Sequence, residues 1–379
     1  MAKLKLFVAD CLYESALIEI KETIRLNGKQ GYEKQIAQIY AQHYANFGSY
    51  SRYFNSTRWS ITEILANSLE TQNLWRRDHN RIRTNRLLWR LSYQFNKNPF
   101  LRYFTPHFSP MHRTLIQQVK FLKPDVVILT DLHLYPYEVL KKLKSQNLLL
   151  VGHISSQIHT GTPIQMYDLL LSSIDEYLRL FSELGVESLK FLPAFDRECL
   201  PKEPVPKDID CVFVGSIYAG TAPLLAEVKK YVPHIQIYGP KLTAEMKELG
   251  LEENYQGSVY GNKMYAILSR AKLVVNRHGN PISTYGNVRT FEATGMGAGL
   301  LTEENPDIVT IFSPDEEVFT YRNIENIGIK AKSILGSASN LEKVSKSGQE
   351  RTLADHTYEI RYKNLEVKLS SLLVKARIE

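Results

Sequence analysis

The chain has 379 residues, of which 44% are hydrophobic and 23% charged, and its formal net charge is +7. This length predicts two domains, and the composition excludes a disordered, collagen-like or membrane-embedded protein. Its apolar runs are of strand length, far short of the roughly 20 residues that span a bilayer, and its start lacks the apolar core of a secretory signal. Three widely separated cysteines indicate neither a disulfide framework nor a zinc site. We therefore expect a globular cytoplasmic protein, and the positive charge favours anionic partners.

The first half of the chain alternates short apolar runs with segments of helical period, which predicts a parallel sheet covered by helices. The predicted strands are residues 4–8, 126–130, 148–152, 169–172 and 189–192. The stretch from about residue 13 to 122 is mostly helical in period and rich in basic and aromatic residues, so we expect a helical insertion there. This half is predicted to be a Rossmann-like domain over residues 1–196.

The second half repeats this pattern after a cluster of prolines between residues 193 and 206, which is typical of a linker. Helices are predicted to begin near Ala222, Met264 and Asn287, and strands are predicted at residues 211–215, 235–238, 273–276, 299–302 and 318–321. This predicts a second Rossmann-like domain over residues 207–355, with a helix at 356–379 returning to the first domain. Because ligands of such sheets bind at the carboxyl ends of the strands, we expect an interdomain site.

The helix predicted to begin near Asn287 follows a strand and a glycine-containing loop. Its free N–H groups and positive dipole end therefore suit a diphosphate. Arg289 in the first turn adds a cation that can make paired hydrogen bonds to phosphate oxygens, and Glu292 can accept hydrogen bonds from two ribose hydroxyls. One helix thus carries groups for both phosphate and ribose.

The same segment carries a family resemblance. The run R-x-F-E-A-x-x-x-G-x-x-L-L-T between Arg289 and Thr302, the later F-S-P-D-E-E-V and the G-Q-E-R near residue 350 resemble the C-terminal domain of CgeB/YkvP-like glycosyltransferases. These enzymes are similar to glycosyltransferase family 4. The resemblance covers most of the chain and is most specific after residue 255.

This resemblance implies an α/β fold of the GT-B type, in which two doubly wound Rossmann-like domains face each other across an interdomain cleft. It implies a nucleotide-diphosphate sugar as donor, held mainly by the C-terminal domain, with no metal ion and no other cofactor. The acceptor would be a glycan, a lipid-linked molecule or a protein. Glu292 matches the family's second, ribose-binding carboxylate, but Thr284 stands in place of the first. The basic pair that usually follows the first C-terminal strand is also absent, and Arg277 and Arg289 are our candidates for that charge.

Further candidates for donor contacts lie at predicted strand ends. Gly215 and Ser216 close one strand, where a glycine lets backbone N–H groups approach a phosphate, although an ordinary turn explains them equally. Tyr238 ends the next strand and is a candidate for the nucleobase, while the Gly-Pro pair after it is equally typical of a turn. Arg277 and His278 form a polar cluster after a third strand and are predicted to contact the sugar or phosphate.

His153 and Asp131 are the candidates for a catalytic base in the first domain. His153 follows the strand at 148–152, and imidazole titrates near neutral pH. A single histidine at a strand end is also common as a structural residue, and Asp131, after the strand at 126–130, is a rival base. The sequence leaves open whether the anomeric configuration is retained or inverted.

Two other motifs are not expected to carry the chemistry. Asp208-Ile209-Asp210 resembles a metal-binding D-x-D motif, but it precedes a strand and so belongs at the opposite end of the sheet. Gly295-Met296-Gly297-Ala298-Gly299 resembles a dinucleotide loop, but it leaves a helix for a strand, so we interpret it as a helix stop.

The stretch from residue 75 to 102 is basic, interleaved with aromatic residues, and contains one acidic residue, Asp78. Such a segment suits anionic lipid, an acidic glycan or nucleic acid, or it is a solvated helical face. Contact with anionic lipid, as on the inner membrane surface, or with an acidic acceptor is the favoured binding role, and nucleic acid is not expected because no reader motif is present. The missing first carboxylate supports an alternative function, that of a catalytically inactive, glycosyltransferase-like binding or assembly protein.

Overall fold

The computed structural model describes residues 2–97, 109–278 and 287–375. The chain divides into two compact units. One comprises the residues up to Phe191 together with those from Tyr362 onward, and the other comprises Leu192–Arg361. Each unit is built on one parallel β-sheet. Thr284 and Arg102, which belong to the sequence predictions, lie outside the described residues, and so does the side chain of Lys97.

The sheet of the N-terminal unit has six strands, which are β1 Leu4–Asp10, β2 Trp59–Leu65, β3 Val126–Leu129, β4 Leu149–His153, β5 Leu169–Ser172 and β6 Ser188–Lys190. They are arranged in the order β2-β1-β3-β4-β5-β6, and every neighbouring pair is parallel. After β2 the chain crosses to the other side of β1, so the strand order reverses between β1 and β3. Five of the six strands lie where the sequence predicts strands.

Strand β2 is a correction to the predicted helical insertion. It pairs in parallel with the whole of β1, from Leu4 opposite Trp59 to Asp10 opposite Leu65. The sequence obscures this strand because Glu63, which looks like a solvent-facing residue, is buried and accepts hydrogen bonds from the backbone N–H groups of Gly48 and Ser51. Only the folded chain brings those donors to the carboxylate.

Helices cover this sheet, and the described ones are α1 Glu14–Leu26, α2 Tyr32–Tyr40, α3 Ser49–Tyr53, α4 Leu69–Asp78, α5 Arg86–Lys97, α6 Pro110–Leu122, α7 Tyr137–Lys144 and α8 Asp175–Glu183. Alternate residues of the central strands, such as Phe7, Val127 and Leu150, pack with Trp89 and Leu115 of α5 and α6 in one buried cluster. The strands are buried on both faces, which explains why they read as continuous apolar runs.

The sheet of the C-terminal unit has five parallel strands in the order β11-β10-β9-β7-β8. They are β7 Ile209–Val214, β8 Gln236–Tyr238, β9 Ala271–Val275, β10 Gly299–Glu303 and β11 Phe319–Tyr321. The described helices from this point to the end of the chain are α9 Thr221–Tyr231, α10 Ala244–Glu248, α11 Gly261–Arg270, α12 Val288–Gly295, α13 Ile308–Ile311, α14 Ile327–Gly336, α15 Ala338–Asp355 and α16 Tyr358–Lys375. Buried apolar clusters lie on both faces of the sheet, so this unit is also doubly wound.

The last helix, α16, begins in the C-terminal unit and ends in the N-terminal unit. In the latter, the Tyr362 and Tyr50 rings lie 4.2 Å apart between centroids, and the Trp59 indole donates a hydrogen bond of 3.0 Å to Glu366. Across residues 2–97, 109–278 and 287–375, no helix combines the length and apolarity that crossing a bilayer requires.

Candidate functional site

The strand order of the C-terminal unit reverses between β7 and β9. The chain leaves β7 toward β8 on one side and later adds β9 on the other side. The loops that leave the carboxyl ends of such a strand pair diverge, and the crevice between them is the usual ligand site of an open α/β sheet. The geometry of a ligand site in this unit is therefore set by the residues that come after Val214 and Val275.

The start of α12 is tied to this edge of the sheet by asparagine side chains. Asn287 is the N-cap of α12, because its side-chain oxygen accepts a hydrogen bond from the backbone N–H of Thr290. Its amide group donates to the Asn276 side chain at 3.0 Å and to the Arg277 carbonyl at 2.9 Å. Asn276 in turn donates to Thr302 at the end of β10. The predicted helix start is thus observed one residue after Asn287, which acts as its cap.

Arg289 and Glu292 form a buried ion pair on the inner side of α12. The Arg289 Nη1 lies 2.5 Å from the Glu292 Oε2, and the two side chains are 13% and 3% exposed. The other carboxylate oxygen accepts a hydrogen bond from the Tyr265 hydroxyl at 3.0 Å, while the Arg289 Nε donates to the Val214 carbonyl at 2.9 Å. Both oxygens of Glu292 are therefore engaged by protein groups, and its predicted contact with ribose hydroxyls stays a prediction.

Arg277 lies on the other side of the switch point, over the amino end of α9. Its Nη1 donates to the Ala219 carbonyl at 2.6 Å and to the Thr221 hydroxyl at 3.2 Å, and its Nε lies 3.8 Å from Glu303. A cation beside a helix amino end is unfavourable on its own, because the helix dipole is positive there. Glu303 offsets part of that charge, and a bound anion would offset more.

Gly220, directly before α9, leaves room for the Arg277 guanidinium, so a substitution there tests whether the position of Arg277 matters for nucleotide binding. Gly220 has φ +78°, and a Cβ atom there would lie 2.8 Å from the Arg277 Nη2. We expect Gly220→Ala to lower the free energy of unfolding by about 1 kcal/mol and to displace Arg277, as measured by urea unfolding and nucleoside-diphosphate binding. Gly250→Ala is the matched control, since Gly250 has φ +69° with no atom within 4 Å of the added Cβ. Equal nucleoside-diphosphate affinity in the two variants would show that nucleotide binding does not depend on the position of Arg277.

His278 is held against the carboxyl end of β10. Its backbone N–H donates to Glu303 at 2.9 Å, and its Nε2 lies 3.1 Å from the Thr302 hydroxyl. Burial lowers the pKa of the imidazole, and the nearby Glu303 carboxylate opposes that shift. The residue is therefore neutral at neutral pH, and its Nδ1 is buried without a hydrogen-bond partner among the described residues.

The predicted donor-binding residues at the ends of β7 and β8 differ in placement. Gly215 and Ser216 are half-buried and follow β7 directly, and the Gly215 N–H donates to the Tyr238 carbonyl at 3.0 Å. The Tyr238 hydroxyl donates to Gln236, two residues back along the same strand, at 3.0 Å. The hydroxyl of Tyr238 is thus engaged away from the carboxyl edge, whereas Gly215 and Ser216 lie at that edge.

The structure brings the two base candidates of the N-terminal unit to neighbouring strand ends. His153 is the last residue of β4, and Asp131 follows β3, where it caps a short 3-10 helix, Leu132–Leu134, by accepting from the His133 N–H. Enclosure by surrounding residues lowers the pKa of His153 to about 4, so its imidazole is neutral at physiological pH. Both residues stay predictions as catalytic bases.

Three polar residues that lie at strand ends or contact Glu292 are absent from the sequence predictions. Asp10 ends β1 at the switch point of the N-terminal sheet, accepts from the Thr130 hydroxyl at 2.8 Å, and has its pKa raised by burial to about 6. It was missed because the predicted strand stops two residues too early. Glu303 follows the predicted strand 299–302 directly, so the rule that selected Arg277 selects it as well. Tyr265 carries no sequence signal, because it reads as one apolar residue of an amphipathic helix.

The two discounted motifs behave as the sequence predicts. Asp208 and Asp210 lie at the amino end of β7, where they pair with Arg270 and Lys272 at 2.7 and 2.6 Å. Helix α12 ends before Gly297, which has φ +69°, a left-handed conformation typical of a helix stop.

The C-terminal part of the chain matches a known family. Residues 221–366 match the model of a family described as glycosyl transferase-like. The matched region begins with α9 and includes α12, and so contains most of the residues around the switch point. No curated protein matches the chain.

Solved structures of low sequence identity share the whole fold. HepE from Anabaena, in complex with UDP and glucose, is 11% identical with a TM-score of 0.62, and the similarity covers 97% of this chain and 100% of that one. A glycosyltransferase from Rickettsia africae is 10% identical with a TM-score of 0.58, covering 99% and 100%. A putative UDP-N-acetylglucosamine 2-epimerase from Listeria monocytogenes is 10% identical with a TM-score of 0.53, covering 98% and 96%.

These similarities, together with the two parallel sheets, confirm the predicted fold class, an α/β protein of the GT-B type. At 10–11% identity they define the fold alone, and the neighbours include both a glycosyltransferase and a putative epimerase. The fold is therefore compatible with more than one reaction, and only the residues of the site can distinguish between them.

Proposed function

We propose that this protein is a glycosyltransferase that moves a sugar from a nucleotide-diphosphate sugar to an acceptor, with the donor bound at the β7/β9 switch point of the C-terminal unit. The observation that carries the proposal is the convergence of Arg277, the capped start of α12 and the Gly215-Ser216 turn at that point. The glycosyl transferase-like match over residues 221–366 supports it, since that region contains α9, Arg277 and α12.

In this proposal the donor diphosphate lies at the amino end of α12 and against the Arg277 guanidinium. Breaking the bond between the anomeric carbon and the diphosphate leaves a nucleoside diphosphate with additional negative charge. Fixed cations and helix dipoles stabilise such a leaving group without reorganisation, so no metal ion is required. Arg289 is close enough to contribute, provided that it exchanges part of its contact with Glu292 for a phosphate oxygen.

Glu292 is proposed to hold the donor ribose after an exchange of partners. In the structure it accepts from Arg289 and Tyr265. A bound diphosphate would draw the guanidinium of Arg289 toward itself, and the freed carboxylate oxygen would then accept from the ribose hydroxyls. After this exchange the Arg289 guanidinium is paired with the diphosphate and the Glu292 carboxylate is still hydrogen-bonded, which is needed because a buried charge without partners is costly.

The N-terminal unit is proposed to bind the acceptor, which would be a glycan, a lipid-linked molecule or a protein. The acceptor hydroxyl must lose a proton when it bonds to the sugar. His153, which is neutral at pH 7, and Asp131 are the candidates to accept that proton, and they lie at the ends of adjacent strands. The CgeB/YkvP-like grouping and a cytoplasmic location belong to the same proposal.

The test is a panel of nucleoside diphosphates measured by thermal shift and calorimetry, followed by turnover of the matching nucleotide-sugar. We expect one base to be preferred and its diphosphate to raise the melting temperature, because a ligand that binds only the folded state stabilises it. Failure of every nucleoside diphosphate to bind would refute the donor site.

A second candidate is a glycosyltransferase-like protein that binds donor but does not catalyse transfer. Thr284 in place of the family's first carboxylate, and the engagement of both Glu292 oxygens, favour it. Such a protein would bind the nucleotide but release no free nucleoside diphosphate from any nucleotide-sugar, even with acceptors present. Recovery of an epimerised nucleotide-sugar would instead point to the reaction of the Listeria neighbour.

A further inference from the structure

The net positive charge of this protein comes from one segment. Residues 79–124 contain nine lysines and arginines and no aspartate or glutamate, whereas the rest of the chain contains 38 basic and 40 acidic residues. The net charge of +7 therefore comes from this segment, which comprises the turn after α4 and the stretch from α5 to α6. A segment of this kind is an electrostatic site for anions even when the rest of the surface is neutral.

Helix α5 combines this charge with an exposed apolar face. Trp89 is buried in the core of the N-terminal unit and fixes which side of α5 faces inward. Leu87, Leu88, Leu91 and Phe95 are 64%, 57%, 44% and 45% exposed. At about 100° per residue these four side chains share one arc of the helix, roughly 100° wide. A helix of a globular protein normally turns such an arc inward, so the exposed arc is a candidate interaction surface.

Arginines border the apolar arc. Arg86 and Arg90 lie one helical turn apart on the neighbouring side of α5, and both are exposed. Arg81 and Arg83 are exposed in the preceding turn, on either side of Ile82, which is 90% exposed. Within the described residues, none of these four arginines pairs with an acidic side chain. Their charge is therefore available to an external anion.

We propose that this surface, which we call the α5 face and define as residues 81–95, binds an anionic lipid bilayer. The leucines and Phe95 would enter the boundary between headgroups and acyl chains, and the arginines would contact lipid phosphates. An acidic glycan or a nucleic acid would satisfy the arginines but would leave four apolar side chains in water. A second copy of the chain would cover the apolar arc but would bring two arginine rows together.

The position of α5 in the fold would bring a bound bilayer close to one of the candidate catalytic bases. Helix α5 packs against α6 and against the 3-10 helix Leu132–Leu134, which Asp131 caps at the carboxyl end of β3. A bilayer bound to the α5 face would therefore lie beside the edge of the N-terminal sheet that carries Asp131. The membrane contact does not depend on the proposed glycosyl transfer and can be tested without any substrate.

The test is flotation of the full chain with phosphatidylcholine vesicles, with and without phosphatidylglycerol, at low and physiological salt. We expect binding to the anionic vesicles that weakens as salt rises. The pair Arg86→Gln and Arg90→Gln should lower the partition coefficient about 25-fold, at about fivefold for each cation lost. Replacing Leu87, Leu88, Leu91 and Phe95 together by serine should lower it at least about tenfold.

Matched controls come from the same unit. Ile18→Ser with Leu26→Ser removes exposed apolar side chains from α1, and Lys141→Gln with Lys142→Gln removes two exposed cations from α7. Both control pairs should bind vesicles like the unchanged chain, and circular dichroism melting should show that every variant is folded. The proposal is overturned if the chain does not float with anionic vesicles at low salt, or if the serine variant floats equally well. It is also overturned if the serine variant abolishes a dimer that the unchanged chain forms without lipid.

Discussion

Replacing Glu292 by alanine is expected to lower the free energy of unfolding by about 3 kcal/mol, because it leaves the Arg289 guanidinium buried without its carboxylate. The Arg289 side chain is only 13% exposed, so water cannot replace the lost partner. Equilibrium unfolding in urea measures the change. Glu292→Gln keeps the shape of the side chain and an oxygen that can accept from Tyr265, so its loss relative to the unchanged chain reports the charge. The further loss in Glu292→Ala reports the packing and the hydrogen bond from Tyr265.

A double-mutant cycle with Arg289→Met distinguishes a structural pair from a ligand site. If the pair is mainly structural, the double variant should recover part of the stability lost in either single variant, because no unpaired charge remains. If the pair also holds the donor, through Arg289 on the diphosphate and Glu292 on the ribose, the double variant should be stabilised by nucleoside diphosphate much less than the unchanged chain. A Glu292→Ala variant with unchanged stability would mean that the ion pair does not exist in solution, and unchanged nucleotide affinity would remove Glu292 from the donor site.

The second large effect is expected at Arg277. Replacing it by glutamine should weaken the binding of nucleoside diphosphate about thirtyfold, equivalent to about 2 kcal/mol, because hydrogen bonds to a charged phosphate are lost. Calorimetry with the base preferred in the nucleotide panel measures the change. Stability should fall less than in Glu292→Ala, since Arg277 is bonded mainly to uncharged groups, the Ala219 carbonyl and the Thr221 hydroxyl.

Arg270→Gln is the matched control for this variant. Arg270 is an exposed arginine of the same unit, and it pairs with Asp208 at the amino end of β7, the opposite edge of the sheet. Its replacement should leave nucleotide affinity unchanged. Equal losses in the two arginine variants would indicate a general electrostatic effect, and no loss in Arg277→Gln would place the diphosphate elsewhere.

Sequence signals predicted the ends of a helix best where residues of that same segment set them. Asn287 lies three residues before Thr290, which is the spacing of an N-cap side chain and the backbone N–H that donates to it, and α12 begins where that spacing predicts. The left-handed Gly297 likewise ends α12 by a rule that needs no tertiary information. In contrast, β2 lies within a stretch that reads as helical, and its strand character depends on pairing with β1.

The ion pair within α12 shows why a site is harder to predict than a helix. Residues at positions i and i+3 of a helix are neighbours, so the sequence alone allows Arg289 and Glu292 to pair. Whether they bind each other or a ligand depends on burial and on Tyr265, which reaches Glu292 from another helix. The sequence suggests which groups Arg289 and Glu292 can bind. It does not show that they bind each other and Tyr265, so that a ligand must compete with those contacts.

The sequence by itself determined that this protein has two parallel-sheet domains, where most strands and helices begin, and which charged residues follow strand ends. These properties depend on periodicity and capping within single segments. Only the tertiary structure decided the order of the strands, the position of the two switch points, the burial of Glu63 and Glu292, and the exposure of the apolar face of α5. Periodicity shows which residues share a face, but whether another element covers that face depends on contacts between segments far apart in the chain.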